Sequence, residues 1–129
     1  MKILAAIITH NRCDLLKRCI DNLNQQSLKL SKILVINNFS TDNTKSYLIK
    51  NNIDHINQKN EGSANGWYTA ISYAKSNNFD YLWLMDDDGY PEKKSLEHLF
   101  DFMKNNQDYL CISSLLIDEN DKNNLVFPM

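Results

Sequence analysis

The chain has 129 residues, of which 43% are hydrophobic and 23% charged, as in one compact globular domain rather than a disordered segment. Its formal net charge is −2, so it lacks the basic excess that favours nucleic-acid partners. The longest apolar run near the N-terminus, Ile3 to Ile8, is too short for a transmembrane span or a signal-peptide core. Three cysteines without CxxC spacing or a His/Cys ligand cluster predict reduced, mostly buried thiols in a cytoplasmic protein: Cys13, Cys19 and Cys111.

Apolar runs and amphipathic stripes alternate along the chain. Strands are predicted at Ile3–Ile8, Lys32–Ile36, Asp54–Asn57, Asp80–Met85 and Tyr109–Ile117. Between them, helices are predicted from an Asn11 cap to about Gln26, from about Asp42 to Lys50 behind a Ser40 or Thr41 cap, around Trp67–Ala74, and from Pro91 through Met103. After a polar turn, Leu125–Phe127 is predicted as a hairpin arm. This order predicts an α/β sandwich with a mostly parallel sheet, whose ligands bind beyond the carboxyl ends of the strands.

Three consecutive carboxylates, Asp86, Asp87 and Asp88, follow the fourth predicted strand. No basic residue adjoins them in the sequence, so they need a counterion, and hard cations such as Mg²⁺ or Mn²⁺ take oxygen ligands of this kind. Alternation along an extended segment places Asp86 and Asp88 on one side and Asp87 on the other. The alternatives are a solvated acidic turn and an EF-hand calcium loop. The EF-hand fails because its first and twelfth positions would be Leu84 and Ser95.

Polar segments also follow the first three predicted strands. The segment 60–66 has two glycines at a loop-to-helix junction, which suits close approach of a diphosphate to free backbone N–H groups, although a tight loop alone also explains it. The amides of Asn37 and Asn38 can read a base or ribose edge, while Ser40 also serves as an ordinary helix cap. Arg12 either steers an anionic ligand or is a solvated arginine at a helix start.

These segments resemble, in the same order, the motifs of family 2 glycosyltransferases, closest to the rhamnosyl- and galactofuranosyltransferase-like branch: Ile7–Arg12, Ile36–Asp42, Asn60–Trp67 and Leu84–Asp88. The resemblance covers residues 3 to 117. It implies a GT-A fold, a donor that is a nucleotide-diphosphate sugar (UDP- or dTDP-linked favoured), and an acidic DxD-type motif with Mn²⁺ or Mg²⁺. It further implies inverting transfer to a glycan or lipid-linked acceptor in cell-surface polysaccharide synthesis, in the cytoplasm or at the inner face of the membrane.

Carried over by position, the resemblance implies metal ligation by Asp86 and Asp88. The residues expected to bind the nucleotide sugar are Thr9, Asn11, Arg12, Asn37, Asn38, Ser40, Asn60, Gly62, Asn65, Gly66, Asp86 and Asp87. Asn37 stands where the family usually has a base-reading aspartate, so the base preference is open. Asn65 stands where the branch often has glycine, which makes the phosphate loop bulkier.

Family members are typically much longer than this chain. We therefore expect residues 1–129 to form a single GT-A-like donor-binding domain without the acceptor-binding half, with the general base outside the chain. The turn carboxylates Asp118, Glu119 and Asp121 are not assigned that role. We also expect self-association through apolar surface near Leu115, Leu116 and Phe127.

Two other functions are alternatives to a glycosyltransferase. A binding module would hold the sugar nucleotide without turning it over, and assays of donor hydrolysis and transfer distinguish it from an enzyme. A phospho-receiver regulator is also an α/β domain with clustered acids. Receivers carry paired acids after the first strand, where this chain has Thr9, His10 and Asn11, so that alternative is disfavoured.

Overall fold

A computed structural model describes residues 1–118, 120, 121, 123 and 125. Strands and helices alternate in it as the sequence predicts. The strands are β1 (Ile3–Thr9), β2 (Lys32–Asn38), β3 (His55–Gln58) and β4 (Tyr81–Asp86). The helices are α1 (Cys13–Asn24), α2 (Thr44–Lys50), α3 (Ser63–Ser76) and α4 (Ser95–Asn105).

The four strands form one parallel sheet in the order β3-β2-β1-β4, which confirms the predicted α/β class. The chain winds outward from β1 to β3 and then returns across the sheet to place β4 on the other side of β1. The winding direction therefore reverses between β1 and β4. In open α/β sheets such a reversal opens a crevice at the carboxyl ends of the strands, where ligands bind.

Helices cover both faces of the sheet, and β1 is buried along its whole length. Because side chains alternate along a strand, Ala5 and Ile7 pack on one face with α1 and α2, whereas Leu4, Ala6 and Ile8 pack on the other face with α3. This burial on both faces explains why β1 is a continuous apolar run. The burial also determines where the strands end, because the polar segments begin at those points.

The predicted helix caps are wrong. Asn11, which has a φ of 53°, does not cap α1. Its Oδ1 accepts hydrogen bonds from the backbone N–H groups of Thr41 and Asp42 instead. Neither Ser40 nor Thr41 caps α2, which starts at Thr44 rather than Asp42. Instead the Asp42 carboxylate accepts from the first N–H of both helices, at 3.2 Å from Cys13 and 3.0 Å from Thr44. Local spacing could not reveal a cap shared between two loops.

The prediction also fails after β4. Pro91 precedes α4 by four residues instead of lying in its first turn, because the loop after the acidic triplet continues to Lys94. The predicted strand Tyr109–Ile117 is absent: among the described residues this segment has no sheet neighbour, and Leu110 is 95% exposed. In the described part of the chain, it pairs through an isolated antiparallel bridge between Ile117 and Leu125. The rest of the predicted hairpin arm, Val126 and Phe127, lies outside the described residues, as does Glu119.

All three cysteines are free, as predicted, but only two are buried. Cys13 and Cys19 lie on the core side of α1. Cys111 is exposed because the predicted last strand that would have buried it does not form.

Candidate functional site

Thr9, Arg12 and Asp87 meet at the crevice between β1 and β4. The Thr9 hydroxyl donates to Asp87 Oδ2 at 2.7 Å, and Arg12 Nε donates to the same oxygen at 3.2 Å. Arg12 Nη2 lies 2.7 Å from Asp87 Oδ1, and Arg12 Nη1 lies 3.6 Å from Asp88 Oδ2. The acidic triplet, which has no basic neighbour in the sequence, therefore has Arg12 as a partner in the fold. Arg12 comes from the loop after β1, 75 residues away in the sequence.

The three carboxylates of the triplet have different surroundings. The Asp87 side chain is fully buried, and this burial raises its pKa although the Thr9 hydroxyl and Arg12 counteract the shift. Asp86 and Asp88 are exposed, although Asp87 and Asp88 lie in a turn rather than in the extended segment for which alternation was predicted. Gly89 closes the turn: a Cβ there would lie 3.0 Å from the Asp86 carbonyl oxygen. Two exposed carboxylates thus flank one that is held inside.

The thiol of Cys19 lies beneath this loop, with Sγ 3.6 Å from Met85 Sδ. Burial, followed by the charges of Asp87 and Asp88, raises the pKa of Cys19 to about 12. At neutral pH the thiol is therefore protonated, and it acts as a small apolar core residue rather than a nucleophile.

In the part of the chain that the structure describes, no three His, Cys, Asp or Glu side chains are grouped closely enough to enclose a metal ion. Asp86 and Asp88 alone are nevertheless suited to Mg²⁺ or Mn²⁺. Such ions are commonly held by one or two carboxylates, with phosphate oxygens and water completing the coordination. The predicted pair fits this kind of site and does not fit an all-protein cage.

The glycine-containing loop leads into α3 beside β1 and β2. Gly62 has a φ of +91°, and its N–H donates to Asn60 Oδ1 at 3.1 Å. α3 begins at the next residue, Ser63, without a side-chain cap. A Cβ at Gly66 would lie 3.0 Å from both Ile8 Cγ1 and Cγ2, so glycine is what lets α3 approach β1 this closely. The helix therefore begins at the same edge of the sheet as the acidic loop, with Asn65 in its first turn.

Two amide pairs connect the ends of β2 and β3. Asn37 Nδ2 donates to Asn57 Oδ1 at 2.7 Å, and Gln58 Nε2 donates to Asn38 Oδ1 at 2.8 Å. Asn38 Nδ2 in turn lies 3.4 Å from the Gly62 carbonyl oxygen, which ties β2 to the glycine loop. Sequence analysis missed Asn57 and Gln58, although polar amides at the carboxyl end of a predicted strand were a usable signal.

Asn11 and Ser40 join the loops that follow β1 and β2. The Asn11 N–H donates to Ser40 Oγ at 3.0 Å, and the Ser40 N–H donates to Asn37 Oδ1 at 3.2 Å. His10 adds a contact between its Nδ1 and the Asn38 carbonyl oxygen at 2.7 Å. The structure therefore brings every predicted site residue to one edge of the sheet. It divides them between the β1/β4 crevice, the start of α3, and the ends of β2 and β3.

A cleft of about 390 Å³ lies at this edge and is lined by seven residues: Asn37, Phe39, Ser40, Lys45, Asn57, Gln58 and Lys59. A larger cavity of about 500 Å³ lies elsewhere, between the ends of α1 and α2 and the start of β2, and no predicted site residue lines it. The smaller cleft is therefore the one associated with the predicted site.

Among the described residues, no helix combines the length and apolarity needed to cross a bilayer.

A family model, Glycosyl transferase family 2, matches residues 5–126, which is nearly the whole chain. The chain is also 34% identical over 107 residues to "Uncharacterized glycosyltransferase MG025" of Mycoplasma genitalium, covering 74% of this chain and 34% of that protein. It is 22% identical over 130 residues to the galactofuranosyltransferase GlfT1 of Mycolicibacterium smegmatis, covering 98% of this chain and 43% of that protein. The chain belongs to glycosyl transferase family 2. It spans between a third and a half of the length of these relatives.

Solved structures agree on the fold. Residues 1–349 of S. aureus TarS in complex with UDP superpose with a TM-score of 0.68 at 20% identity, covering 83% of this chain and 33% of that one. The mannosyltransferase PcManGT from Pyrobaculum calidifontis, in complex with GDP-Man and Mn²⁺, gives 0.66 at 20% identity, covering 79% and 32%. This similarity confirms the predicted GT-A architecture.

Proposed function

We propose that this chain supplies the donor site of a metal-dependent glycosyltransferase that uses a nucleotide-diphosphate sugar. The observation that carries the proposal is the convergence at one sheet edge of two exposed carboxylates, Asp86 and Asp88, with the glycine loop and the start of α3. A diphosphate needs both features, namely cation ligands and backbone N–H donors. Family membership and the metal and nucleotides bound to TarS and PcManGT support it.

Asp86 and Asp88 would hold the Mn²⁺ or Mg²⁺ together with oxygens of the diphosphate. When bound, the metal would neutralise the charge that develops on the nucleoside diphosphate as it leaves the sugar. Arg12 keeps the buried Asp87 paired, so that charge does not repel the ligand. The free N–H groups in the first turn of α3, near Gly62 and Asn65, would donate to the phosphate oxygens.

Transfer with inversion would proceed by attack of an acceptor hydroxyl on the anomeric carbon, with a general base taking the hydroxyl proton. We assign that base to no residue of this chain. A glycan or lipid-linked acceptor in cell-surface polysaccharide synthesis is the acceptor class that we propose, supported by the similarity to a galactofuranosyltransferase at 22% identity. UDP or dTDP is the favoured donor nucleotide, supported by the UDP bound to TarS.

Calorimetric titration of the chain with UDP, dTDP and GDP, each with Mn²⁺ or with EDTA, tests the donor site. We expect metal-dependent binding of at least one nucleotide and a higher melting temperature in its presence, because the ligand binds only the folded state. Asp88→Asn should remove the metal dependence. Asp101→Asn is the matched control, since Asp101 is an exposed carboxylate on α4.

Failure to bind any nucleoside diphosphate at millimolar concentration would refute the donor site. A transfer assay with the corresponding nucleotide sugars and a lipid-linked or oligosaccharide acceptor then separates an enzyme from a binding module. Metal-dependent binding without hydrolysis or transfer would favour the binding module.

A further inference from the structure

The first turn of α3 is held through a carbonyl group rather than through its N–H groups. The Gly62 carbonyl oxygen accepts the first backbone hydrogen bond of the helix, from the Gly66 N–H at 3.4 Å, and it lies at the same distance from Asn38 Nδ2. No described residue accepts from the N–H groups of residues 63–65. An ordinary side-chain cap would occupy some of those N–H groups. Here the start of the helix is fixed while its N–H donors stay available.

Three side chains connect the Gly62 carbonyl back to α3 itself. A carbonyl oxygen only accepts, so the Asn38 atom that faces Gly62 is Nδ2, and Asn38 Oδ1 faces Gln58. Gln58 Nε2 therefore donates to Asn38 Oδ1 at 2.8 Å, and Gln58 Oε1 accepts from the Thr69 hydroxyl at 2.7 Å. Thr69, Gln58 and Asn38 thus form one connected network, the α3 network. Because each bond orients the next amide, loss of the Thr69 hydroxyl frees both amides.

The amide of Asn38 faces the protein rather than solvent. Asn38 is 3% exposed, and its two amide atoms are bonded to Gln58 and to Gly62. Gln58 and Thr69 are half-buried between β3 and α3. A buried amide that loses a partner is penalised, so the network favours a single arrangement. Asn38 therefore influences the site through the backbone that it holds.

The space in front of the glycine loop is open. Gly62 has a φ of +91°, which L side chains rarely adopt, yet a Cβ built on it would meet no atom within 4 Å. Glycine is needed there for the path of the backbone and not for want of room. The open space lies where a ligand would approach the N–H groups of residues 63–65.

We propose, on the basis of the donor site argued above, that Asn38, Gln58 and Thr69 are positioning residues for the diphosphate. They hold the Gly62 carbonyl and thereby aim the N–H groups of residues 63–65 at the phosphate oxygens. None of the three touches the ligand. Their effect concerns the diphosphate and its divalent cation, so inorganic pyrophosphate with Mn²⁺ is the probe that reports on it.

Thr69→Val tests the network without adding charge, because valine has nearly the same shape as threonine but no hydroxyl. Calorimetric titration should show Mn²⁺-dependent pyrophosphate binding weakened by roughly 3- to 10-fold, the effect of about one hydrogen bond. Thr69→Ser keeps the hydroxyl and should bind pyrophosphate as tightly as the wild type. A merely structural role would lower the melting temperature of Thr69→Val and leave the affinity of the folded protein unchanged.

Gln58→Glu tests the direction of the hydrogen bonds in the network. Its carboxylate still accepts from the Thr69 hydroxyl, but it offers no donor to Asn38. Asn38 must then turn Nδ2 toward the carboxylate and Oδ1 toward the Gly62 carbonyl, where two oxygens repel. Pyrophosphate binding with Mn²⁺ should therefore weaken.

Asn57→Asp is the matched control for the charge that Gln58→Glu adds. It places the same charge on the neighbouring residue of β3, and its carboxylate still accepts from Asn37 Nδ2. Pyrophosphate binding should be weaker in Gln58→Glu than in Asn57→Asp by at least roughly threefold. Equal affinities in these two variants would overturn the positioning role.

The outcomes distinguish this role from the donor site on which it rests. If the wild type binds neither UDP nor pyrophosphate with Mn²⁺, the donor site fails and the positioning role fails with it. If it binds UDP alone, the same comparisons are made with UDP. If Thr69→Val binds as tightly as the wild type, or Thr69→Ser loses as much affinity as Thr69→Val, the donor site stands and the positioning role is refuted. Should Thr69→Val not fold, the comparison of Gln58→Glu with Asn57→Asp decides.

Discussion

Arg12 and Asp87 form an ion pair across the crevice between β1 and β4, with Arg12 Nη2 2.7 Å from Asp87 Oδ1. The Asp87 side chain is fully buried, whereas the Arg12 side chain is 47% exposed. A buried carboxylate is tolerated only when it is paired and hydrogen-bonded, and Thr9 supplies a further bond. The middle residue of the acidic triplet thus holds β1 to β4, which leaves Asp86 and Asp88 available to a ligand.

Asp87→Ala should lower the free energy of unfolding by about 1–3 kcal/mol, because it leaves the buried Thr9 hydroxyl without its acceptor. Asp88→Ala is the matched control. Its side chain is 59% exposed and its nearest Arg12 nitrogen is 3.6 Å away, so its effect should stay within about 0.5 kcal/mol. Urea unfolding of both variants measures the difference. Equal losses would mean that the triplet acts as one solvated turn.

The coupling between Arg12 and Asp87 can be measured separately in a double-mutant cycle. Arg12→Ala leaves the buried Asp87 carboxylate without its counter-charge. We therefore expect the losses of stability in the two single variants to add up to more than the loss in the double variant. We expect a coupling energy of about 1–3 kcal/mol from urea unfolding of the two single variants and the double variant. Additive losses would show that the short distance contributes no net stability.

Strands β1, β2 and β4 could be predicted because each contains a continuous apolar run that ends at a polar segment, whereas β3, with the sequence HINQ, has no such run. The features that the sequence did not predict depend on residues that are distant in the sequence. Arg12 is not adjacent to the acidic triplet, and Asp42 caps α1 from another loop. The segment 109–117 has the composition of a strand, but a strand forms only where a neighbour completes its hydrogen bonds.

The shared cap at Asp42 predicts a pH dependence of stability. Burial works to raise the pKa of Asp42, but hydrogen bonds from Thr44 and from the Cys13 backbone N–H outweigh it and hold the pKa below its usual value of 3.8. The stabilisation by this carboxylate is therefore complete above pH 3.8 and is lost as the pH falls through the lowered folded value. Asp42→Asn keeps only one of the two oxygens that accept from the Cys13 and Thr44 N–H groups, so it should be less stable than the wild type at pH 7 by about 1 kcal/mol, and it should lose less stability on acidification.

Urea unfolding at pH 7 and near pH 3 measures this difference. Asp14→Asn is the control, because Asp14 also lies at the start of α1 but is exposed and bonds only Lys17 in the described part of the chain. If Asp42→Asn and the wild type lose the same stability on acidification, the carboxylate contributes no more than an amide would.

Gly66 sets the distance between α3 and the sheet, and Gly66→Ala tests that close approach. Alanine is favoured over glycine inside a helix by about 1 kcal/mol, so local propensity alone predicts a more stable chain. The added Cβ, however, would lie 3.0 Å from Ile8 Cγ1 and Cγ2 and 3.3 Å from Asn38 Nδ2. Ile8 is packed in the core between β1 and α3, and forcing an extra methyl group into such packing costs about 1–3 kcal/mol. We therefore expect a net loss of about 1 kcal/mol in urea unfolding, together with weaker Mn²⁺-dependent nucleotide binding, since the start of α3 must shift from the sheet edge.

Ser72→Ala, a propensity change on the same helix away from this contact, should instead be neutral or slightly stabilising. A Gly66→Ala chain that is more stable than the wild type would show that α3 is not pressed against β1 at this point.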